Sequence, residues 1–310
     1  GKVYEIDLTA CGVTDYGKIY RTGSATTYLN NPDSRTLIID DSKYTLAKWP
    51  NGGYGTIKKV FNASNTSTHK FSYAENTGSR WATATEPWVY GYFYHLWSDD
   101  MLPIQEIDCA NQTILTKGAH WYSIKEGMPY SVFNLLEELD IPGEWFLDSE
   151  TGILYVYPKT DISTASIQLS TNTNHLVTLT EAQYITFSGI TFEGTCNDGA
   201  NLTDCESVVF DNCELKNIGR RAVTISAGHN NGVRNSYIHD IGKGGVKLSD
   251  GDMVNLTPSN NFVESCHIER FGIASQTYTP AVNITGVGNR VSHCEINDSA
   301  HTAIQYGGID

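Results

Sequence analysis

The residues best suited to catalysis are two carboxylates that recur at one position of a repeated segment. Asp240 and Asp298 occupy this position, and His301, a possible acid or base, follows the second. Glycosidic cleavage needs two carboxyl groups, roughly 5–5.5 Å apart for retention or 6.5–9.5 Å for inversion. If the repeats stack about 4.8 Å apart, Asp240 and Asp298 lie two steps apart, about 10 Å, slightly too far for an ideal pair. Both could instead cap turn amides, as Asp does in many loops.

Three other side chains of the same repeats could contact a sugar. Tyr237, His267 and Glu295 share one outward position, and aromatic faces stack on the apolar faces of sugars. Exposed aromatics are also ordinary on strands, so the composition leaves both interpretations open. Asp240, Asp250 and Asp252 could hold Ca²⁺ through oxygen ligands, although no spaced ligand motif supports it. We therefore expect neither metal nor cofactor, with Ca²⁺ as the alternative.

The positions of these residues come from an internal repeat in the C-terminal half. Short period-two segments, separated by Gly- or Asn-containing corners, recur at steps of about 23 to 30 residues, which is typical of a parallel β-helix. The copies are residues 187–192 (FSGITF), 210–215 (FDNCEL), 233–238 (VRNSYI), 263–268 (VESCHI) and 291–296 (VSHCEI). Strand alternation places Cys213, Ser236, Cys266 and Cys294 at one inward position, so we expect a buried ladder rather than nucleophiles or metal ligands.

The N-terminal half differs in composition and pattern, because it contains all six tryptophans and strands separated by polar turns. Residues 37–46 and 145–157 are predicted to form hairpins. A short helix is expected at 134–139, with Asn134 as its N-cap and Glu137 as the capping-box partner. The predicted fold is all-β: a right-handed parallel β-helix over 171–310, with a docked antiparallel β domain over 1–170.

Three segments resemble one protein family. Residues 133–158 read FNLLEELDIPGEWFLDSETGILYVYP, residues 44–51 read YTLAKWPN, and residues 249–259 read SDGDMVNLTPS. They resemble secreted right-handed parallel β-helix glycoside hydrolases, the family with fucosidase and xylanase members. The resemblance implies cleavage of extracellular polysaccharide or glycan by two carboxylates. It places that pair on coils beyond residue 310, so the chain resembles an internal portion and no catalytic residue of the family is carried over.

Composition restricts the partners and the compartment. A net charge of −14 and a pI near 5.0 argue against nucleic acid and anionic membrane surfaces as partners. No run approaches the roughly 20 apolar residues of a membrane span. A mild excess of glycosylation sequons indicates an extracellular protein, either a eukaryotic glycoprotein or a bacterial one with unused sequons. The sequons are at Asn62, Asn65, Asn111, Asn201, Asn255, Asn283 and Asn297.

Two local expectations follow from cysteine and sequon positions. Cys196 and Cys205 lie in a Gly/Asn/Asp-rich segment and could close a local disulfide. Asn201 and Asn283 are expected to point outward in a row with Thr224, so a glycan on Asn283 would obstruct a polysaccharide on that face.

The leading functional hypothesis is an extracellular carbohydrate-active β-helix protein of glycoside hydrolase type, without the catalytic pair in this chain. The alternative is a non-catalytic extracellular glycoprotein that binds glycan or forms fibres, assembling through the open ends of the β-helix. A lyase or epimerase acting on uronates also fits the fold, but such enzymes usually need basic residues, which are scattered here.

Overall fold

The computed structural model describes residues 2–21, 23, 35–63, 67–74 and 79–307. The described chain forms two compact units that divide between residues 168 and 169, with residues 35 and 36 grouped with the second unit. Each unit has its own hydrophobic core.

Strands dominate the chain before the repeats. In chain order they are β1 (Tyr4–Asp7), β2 (Leu37–Ile39), β3 (Ser42–Leu46), β4 (Lys48–Trp49), β5 (Gly55–Asn62), β6 (Lys70–Tyr73), β7 (Trp88–Gly91), β8 (Asp100–Asp108), β9 (Thr113–Thr116), β10 (Pro129–Phe133), β11 (Glu144–Leu147), β12 (Ile153–Tyr157) and β13 (Ile167–Leu169). The described residues form one sheet of order β1-β12-β11-β3-β2-β13 and a second of order β4-β10-β5-β6-β9-β8-β7.

The second sheet closes on itself, because β10 pairs with β5 on one side and with β7 on the other. All pairs around this ring are antiparallel. Closure leaves the interior to be filled by side chains, as in small barrels. Aromatic groups do this: the rings of Phe71 and Tyr130 lie 5.3 Å apart, centroid to centroid, and Trp81 is 1% exposed.

Both predicted hairpins are present. Leu37 pairs with Tyr44 in β2–β3, and Trp145 pairs with Val156 in β11–β12. Asp40 and Asp41 turn the first hairpin at positive φ, a conformation that Asp tolerates better than most residues.

The predicted helix at 134–139 is wrong in type and in cap. The structure has a single 3₁₀ turn at Leu136–Glu138 without a side-chain cap. Asn134 adopts φ 60° and its Nδ2 donates 2.8 Å to the carbonyl of Glu86, while Glu137 accepts from Thr83. Both side chains are therefore engaged by distant residues. The described chain also has 3₁₀ turns at Arg80–Thr83 and Ile162–Thr164.

The C-terminal unit is a right-handed parallel β-helix, as the repeat predicted. Its strands are β14 (Val177–Thr180), β15 (Thr186–Ser188), β16 (Thr191–Thr195), β17 (Ala200–Glu206), β18 (Val209–Asp211), β19 (Glu214–Ile218), β20 (Val223–His229), β21 (Gly232–Arg234), β22 (Tyr237–Ile241), β23 (Val246–Asp250), β24 (Phe262–Glu264), β25 (His267–Glu269), β26 (Val282–Gly286), β27 (Arg290–Ser292), β28 (Glu295–Asn297) and β29 (Ile304–Tyr306).

Each coil contributes one strand to each of three parallel sheets within residues 177–306. The first sheet runs β14-β17-β20-β23-β26-β29, the second β15-β18-β21-β24-β27, and the third β16-β19-β22-β25-β28. Inward side chains stack from coil to coil: the rings of Phe187 and Phe210, paired across neighbouring coils, lie 4.8 Å apart. The same register fixes which outward side chains are neighbours.

The cysteine ladder is confirmed. Cys213, Ser236 and Cys266 are buried at the corner between the second and third sheets, and Cys294 is half-buried on a later coil. The Sγ atoms lie near carbonyl oxygens of the preceding coil, such as that of Phe187 at 3.5 Å from Cys213. These thiols therefore serve packing, as small inward groups at a tight corner.

The predicted disulfide between Cys196 and Cys205 is not formed. Both are buried free thiols. The Sγ of Cys196 lies 3.4 Å from Ser170 Oγ, and that of Cys205 lies 3.6 Å from the carbonyl of Leu179. Each thiol is thus engaged by a different neighbour. Closeness in sequence did not bring them together, because the chain turns a corner between them.

Candidate functional site

The predicted sugar-contact residues lie together on the outward side of the third sheet. Register stacks Glu214 on Tyr237, Tyr237 on His267, and His267 on Glu295. Because alternate strand residues point in opposite directions, the intervening Ile238 is buried in the core. We call this surface, together with the corner that follows the third sheet, the site face.

The corner column of the site face explains the fate of the predicted catalytic pair. Asn217, Asp240, Arg270 and Asp298 all adopt φ between 45° and 56°, the left-handed conformation of the turn. Arg270 lies between the two carboxylates and donates from Nε and Nη2 to both oxygens of Asp240, each at 3.0 Å. A bidentate guanidinium pair is strong and directional. Asp240 is thus committed to Arg270 and does not face Asp298 across a free gap.

A continuous polar network surrounds Arg270. Tyr237 donates its hydroxyl to Glu269, and Arg270 also pairs with Glu269. On the other side, His239 Nδ1 lies 2.6 Å from Asp240 Oδ2, and its Nε2 lies 3.2 Å from Glu214 Oε1. The network therefore joins three neighbouring strands of the third sheet through side chains.

The network holds its carboxylates ionised. Burial by itself raises the pKa of Asp240, but hydrogen bonds with His239 and Arg270 outweigh it and keep that pKa well below its usual range. In Glu214, burial is likewise outweighed by His239 and by the charge of Lys216, so its pKa is lowered. The hydrogen bond from Tyr237, followed by that from Arg270, lowers the pKa of Glu269. Near neutral pH these groups accept hydrogen bonds rather than donate protons.

Tyr237 is held protonated. Burial and then its hydrogen bond to Glu269 raise the pKa of the Tyr237 hydroxyl. Its ring stacks on the ring of His239 at 4.1 Å and on that of His267 at 5.0 Å. The Tyr237 ring therefore packs within the protein and offers a ligand its edge, whereas Glu295 and the half-exposed His267 remain accessible.

Asp298 and His301 have different surroundings. Asp298 is exposed and lines an open cleft of about 470 Å³ with Arg270, Gln276 and Ser299. His301 supports the segment that borders this cleft: Tyr278 N donates to its Nδ1 at 3.4 Å, and the two rings lie 5.6 Å apart. His301 thus has a positioning contact rather than a place on the cleft wall.

The outward row of the first sheet is present, but one expectation about it is wrong. Asn201 stacks on Thr224, and Asn283 stacks between Lys247 and Gln305. Asn283, expected to be exposed, is only 5% exposed. The coil that precedes it is longer than its neighbours, and residues 275, 277 and 279–282 are also buried. Burial of Asn283 therefore removes it as a reporter of whether a groove is open.

The other sequons differ in accessibility. Asn111, Asn255 and Asn297 are exposed, Asn62 and Asn201 are half-buried, and Asn65 lies outside the described residues. Asn297 is on the site face, where its Nδ2 donates 3.1 Å to Glu295 Oε1.

Asn283 should stay unmodified whatever the protein does. In a protein secreted from a eukaryotic host, we expect no glycan on Asn283, because the folded chain leaves no room for one, whereas Asn255 and Asn297 are accessible. Mass spectrometry of the tryptic peptides measures this directly. A folded protein with a glycan on Asn283 would show that the burial described above is wrong.

The three aspartates considered for Ca²⁺ have other partners. Asp240 pairs with Arg270, Asp250 accepts from Gly228 N at 2.6 Å, and Asp252 accepts from Val254 N at 2.8 Å. Within the described ranges, no group of three or more His, Cys, Asp or Glu side chains is arranged to hold a metal ion.

Among the residues that the structure describes, no helix has the length and apolar character needed to cross a membrane.

Sequence reasoning missed the pairing of Arg270 and the buried polar groups between third-sheet and first-sheet strands. Lys243 is 2% exposed, and Asp198 accepts from Thr224 Oγ1 at 2.9 Å. One signal was available for Arg270: it is the basic residue in a column otherwise made of Asn and Asp. A cation stacked between acids in a repeat indicates an ion pair across coils.

Comparison with known proteins agrees with the architecture. Residues 175–308 match the family model described as a right handed beta helix region. No curated protein sequence matches the chain. A solved structure titled "Glycoside hydrolase" is similar over 89% of this chain and 77% of its own, with 9% sequence identity and a TM-score of 0.49, a likeness too low to carry an argument. Residues 175–308 are thus similar to right-handed β-helix regions, and the chain combines such a helix with an antiparallel β unit.

Proposed function

We propose that this chain is an extracellular glycan-binding β-helix protein, in which the site face holds a neutral polysaccharide without cleaving it. The observation that carries the proposal is the network of ionised carboxylates around Arg270. Charged groups fixed by one another form hydrogen bonds to sugar hydroxyls with little further loss of side-chain entropy. The parallel sheet aligns its outward side chains in rows along the stacking direction, which suits an extended polymer.

The charge of the site face favours a neutral ligand. Residues 79–307 are described without a gap, and within them the outward positions of the third sheet and the corner column carry six carboxylates and two cations. Lys216 lies 3.7 Å from Glu214 Oε2, and Arg270 is paired with Asp240 and Glu269, so both cations are already neutralised. A polyuronate would be repelled by the excess of acid. The carboxylates are Glu193, Glu214, Asp240, Glu269, Glu295 and Asp298.

The pKa pattern favours binding over cleavage. A glycosidase needs one carboxyl group whose pKa is raised, so that it can protonate the leaving oxygen. On the site face, the shifted carboxyl pKa values of Glu214, Asp240 and Glu269 are all lowered. Tyr237, the residue closest to the role of a base in β-elimination, has a raised pKa and stays protonated.

Two carboxylates with raised pKa lie in the first unit and serve its core. Burial raises the pKa of Glu138, although its Oε1 accepts 2.6 Å from Trp81 Nε1. Burial likewise raises the pKa of Glu144, which accepts from the backbone amide of Asp140. Both are nearly inaccessible to solvent, so a polymer cannot reach them.

The experiment compares neutral with acidic polymers. The purified 310-residue protein is run through gels containing xylan, mannan or mixed-linkage β-glucan, and through gels containing polygalacturonate or alginate, at low and at high salt. We expect retardation by at least one neutral polymer, with little salt dependence, and none by the polyuronates at low salt. Binding of a polyuronate in preference to all neutral polymers would overturn the proposal.

A further inference from the structure

A second exposed surface lies on the first unit, on two turns of the closed sheet. One turn, residues 92–99, joins β7 to β8, and the other lies within residues 117–128, between β9 and β10. The rings of His95 and Trp97 are nearly parallel at 15° and 4.6 Å apart. The ring of Tyr122 stands edge-on to both, 5.1 Å from each. We call these three rings the aromatic platform.

The platform is unusually exposed for its composition. Trp97 is 42% exposed and Tyr122 40%, and the neighbouring Trp121 is 69% exposed. By contrast Trp81 and Phe93 of the same unit are almost fully buried. Leaving large aromatic groups in water forfeits the free energy gained by burying them, so a cluster of this kind marks a contact surface.

Backbone hydrogen bonds hold the two turns that carry the platform. Ser98 N donates to the carbonyl of His95 at 3.1 Å, and Ser123 N donates to that of His120 at the same distance, so both turns are closed. Lys125 N donates to the carbonyl of Phe93 at 2.9 Å and ties the two turns together. A rigid surface loses little entropy on binding.

A buried polar pair supports Tyr122 from beneath. His120 is 1% exposed, its ring lies 5.9 Å from that of Tyr122, and its Nδ1 lies 3.0 Å from Asp100 Oδ2. Asp100 also accepts from Arg21 Nη2 at 2.6 Å. The other ring nitrogen of His120, Nε2, is buried and makes no hydrogen bond within the described part of the chain. This buried pair therefore anchors the segment that carries Tyr122.

We infer that the aromatic platform is a second carbohydrate-binding site, which stacks a pyranose ring of a neutral glycan on Trp97. A pyranose has an apolar C–H face that matches an indole and a rim of hydroxyls that matches polar ring edges. Leu96, 69% exposed between His95 and Trp97, extends the apolar area, while the imidazole of His95 and the hydroxyl of Tyr122 supply polar atoms at its edge that can bond to sugar hydroxyls. The inference shares its ligand class with the proposed function but uses residues of the other unit.

Hydroxyl-radical footprinting tests both sites in one sample. The whole protein is oxidised with and without xylan, mannan or mixed-linkage β-glucan, and modification is mapped by mass spectrometry. We expect protection of Trp97 and Tyr122 by at least one of these polymers, while protection of His267 reports the site face separately. Protection of His267 without protection of Trp97 would overturn this inference and leave the proposed function standing. Protection of Trp97 without protection of His267 would support this inference and overturn the proposed function of the site face.

Variants provide the quantitative test. Trp97→Ala should weaken binding of the protecting polymer about tenfold, and Trp97→Phe should retain part of it, because a smaller ring still stacks. The control is Tyr4→Ala, an equally exposed aromatic on β1 of the other sheet, at 39%, which should bind as the wild type does. Wild-type affinity in a folded Trp97→Ala protein would overturn the inference.

Discussion

Replacing Gly228 with alanine should lower the free energy of unfolding of the parallel coils by about 4 kcal/mol or more. Gly228 adopts φ +92°, and a Cβ there would lie 2.0 Å from the carbonyl oxygen of Cys205 on the preceding coil. The left-handed backbone alone costs an alanine roughly 1–2 kcal/mol. The overlap must then push neighbouring coils apart, which breaks hydrogen bonds between them and opens the core.

Gly189→Ala is the matched control for this prediction. Gly189 also has a positive φ, +68°, but a Cβ there meets no atom within 4 Å. We expect this variant to lose only the strain, about 1–2 kcal/mol. Urea unfolding followed by circular dichroism measures both. Equal losses in the two variants would show that the coils are not packed as closely at Gly228 as the structure has them.

Arg270→Gln should weaken binding of the neutral polymer about tenfold or more, the size of effect seen when a central charged contact is removed. Glutamine cannot pair with two carboxylates, so Asp240 and Glu269 lose the cation that fixes them. The pKa of Asp240 should then rise toward its usual value, since its hydrogen bonds to Arg270 are among the causes that lower it. Affinity is measured by calorimetry, and the pKa by NMR titration of the carboxyl carbon.

The pH dependence has a definite sign. A depressed folded-state pKa means that the Asp240–Arg270 pair stabilises the wild-type protein above the ordinary pKa of aspartate, and that this contribution is lost as pH falls through the lower folded value. In Arg270→Gln, stability should depend less on pH over that acidic range. An unchanged titration of Asp240 in the variant would contradict the network.

Arg234→Gln is the control for the site face. Arg234 Nη2 lies 2.8 Å from Asp211 Oδ2, so this variant removes a similar ion pair between coils, but on the second sheet. The hydrogen bond from Arg234 is the first cause that lowers the pKa of Asp211, so that pKa should rise too. Binding should be unchanged. An equal loss of affinity in both variants would assign the effect to general loss of charge pairing.

The sequence predicted the coils well because their periodicity is local and repeated. One small inward residue per coil, as at Cys213 and Cys266, fixes the corner and hence the register of the neighbouring strands. The same register placed Tyr237 beside His267 correctly. The sequence could not show which residues far apart in the chain contact one another. Asn134 fails as a helix cap because its side chain bonds to Glu86, far away in the chain.

Part of the candidate site was also beyond sequence reasoning. Asp240 and Asp298 were correctly placed in one column, but their separation by a paired Arg270 depends on side-chain geometry. Asn283 follows the outward alternation of its strand and is nevertheless buried. The longer spacing before it signals an insertion, yet spacing alone does not show where the added residues fold.

The most direct test of binding without cleavage is a count of new reducing ends. The purified protein is incubated near neutral pH with a neutral polymer that it binds, over a period long enough for thousands of turnovers by a glycosidase of ordinary activity. Because Glu214, Asp240 and Glu269 are held ionised, we predict that reducing ends stay at the level of the polymer alone while binding persists. Steady release of reducing ends, abolished by Asp240→Asn or Asp298→Asn, would contradict the account and identify those residues as catalytic.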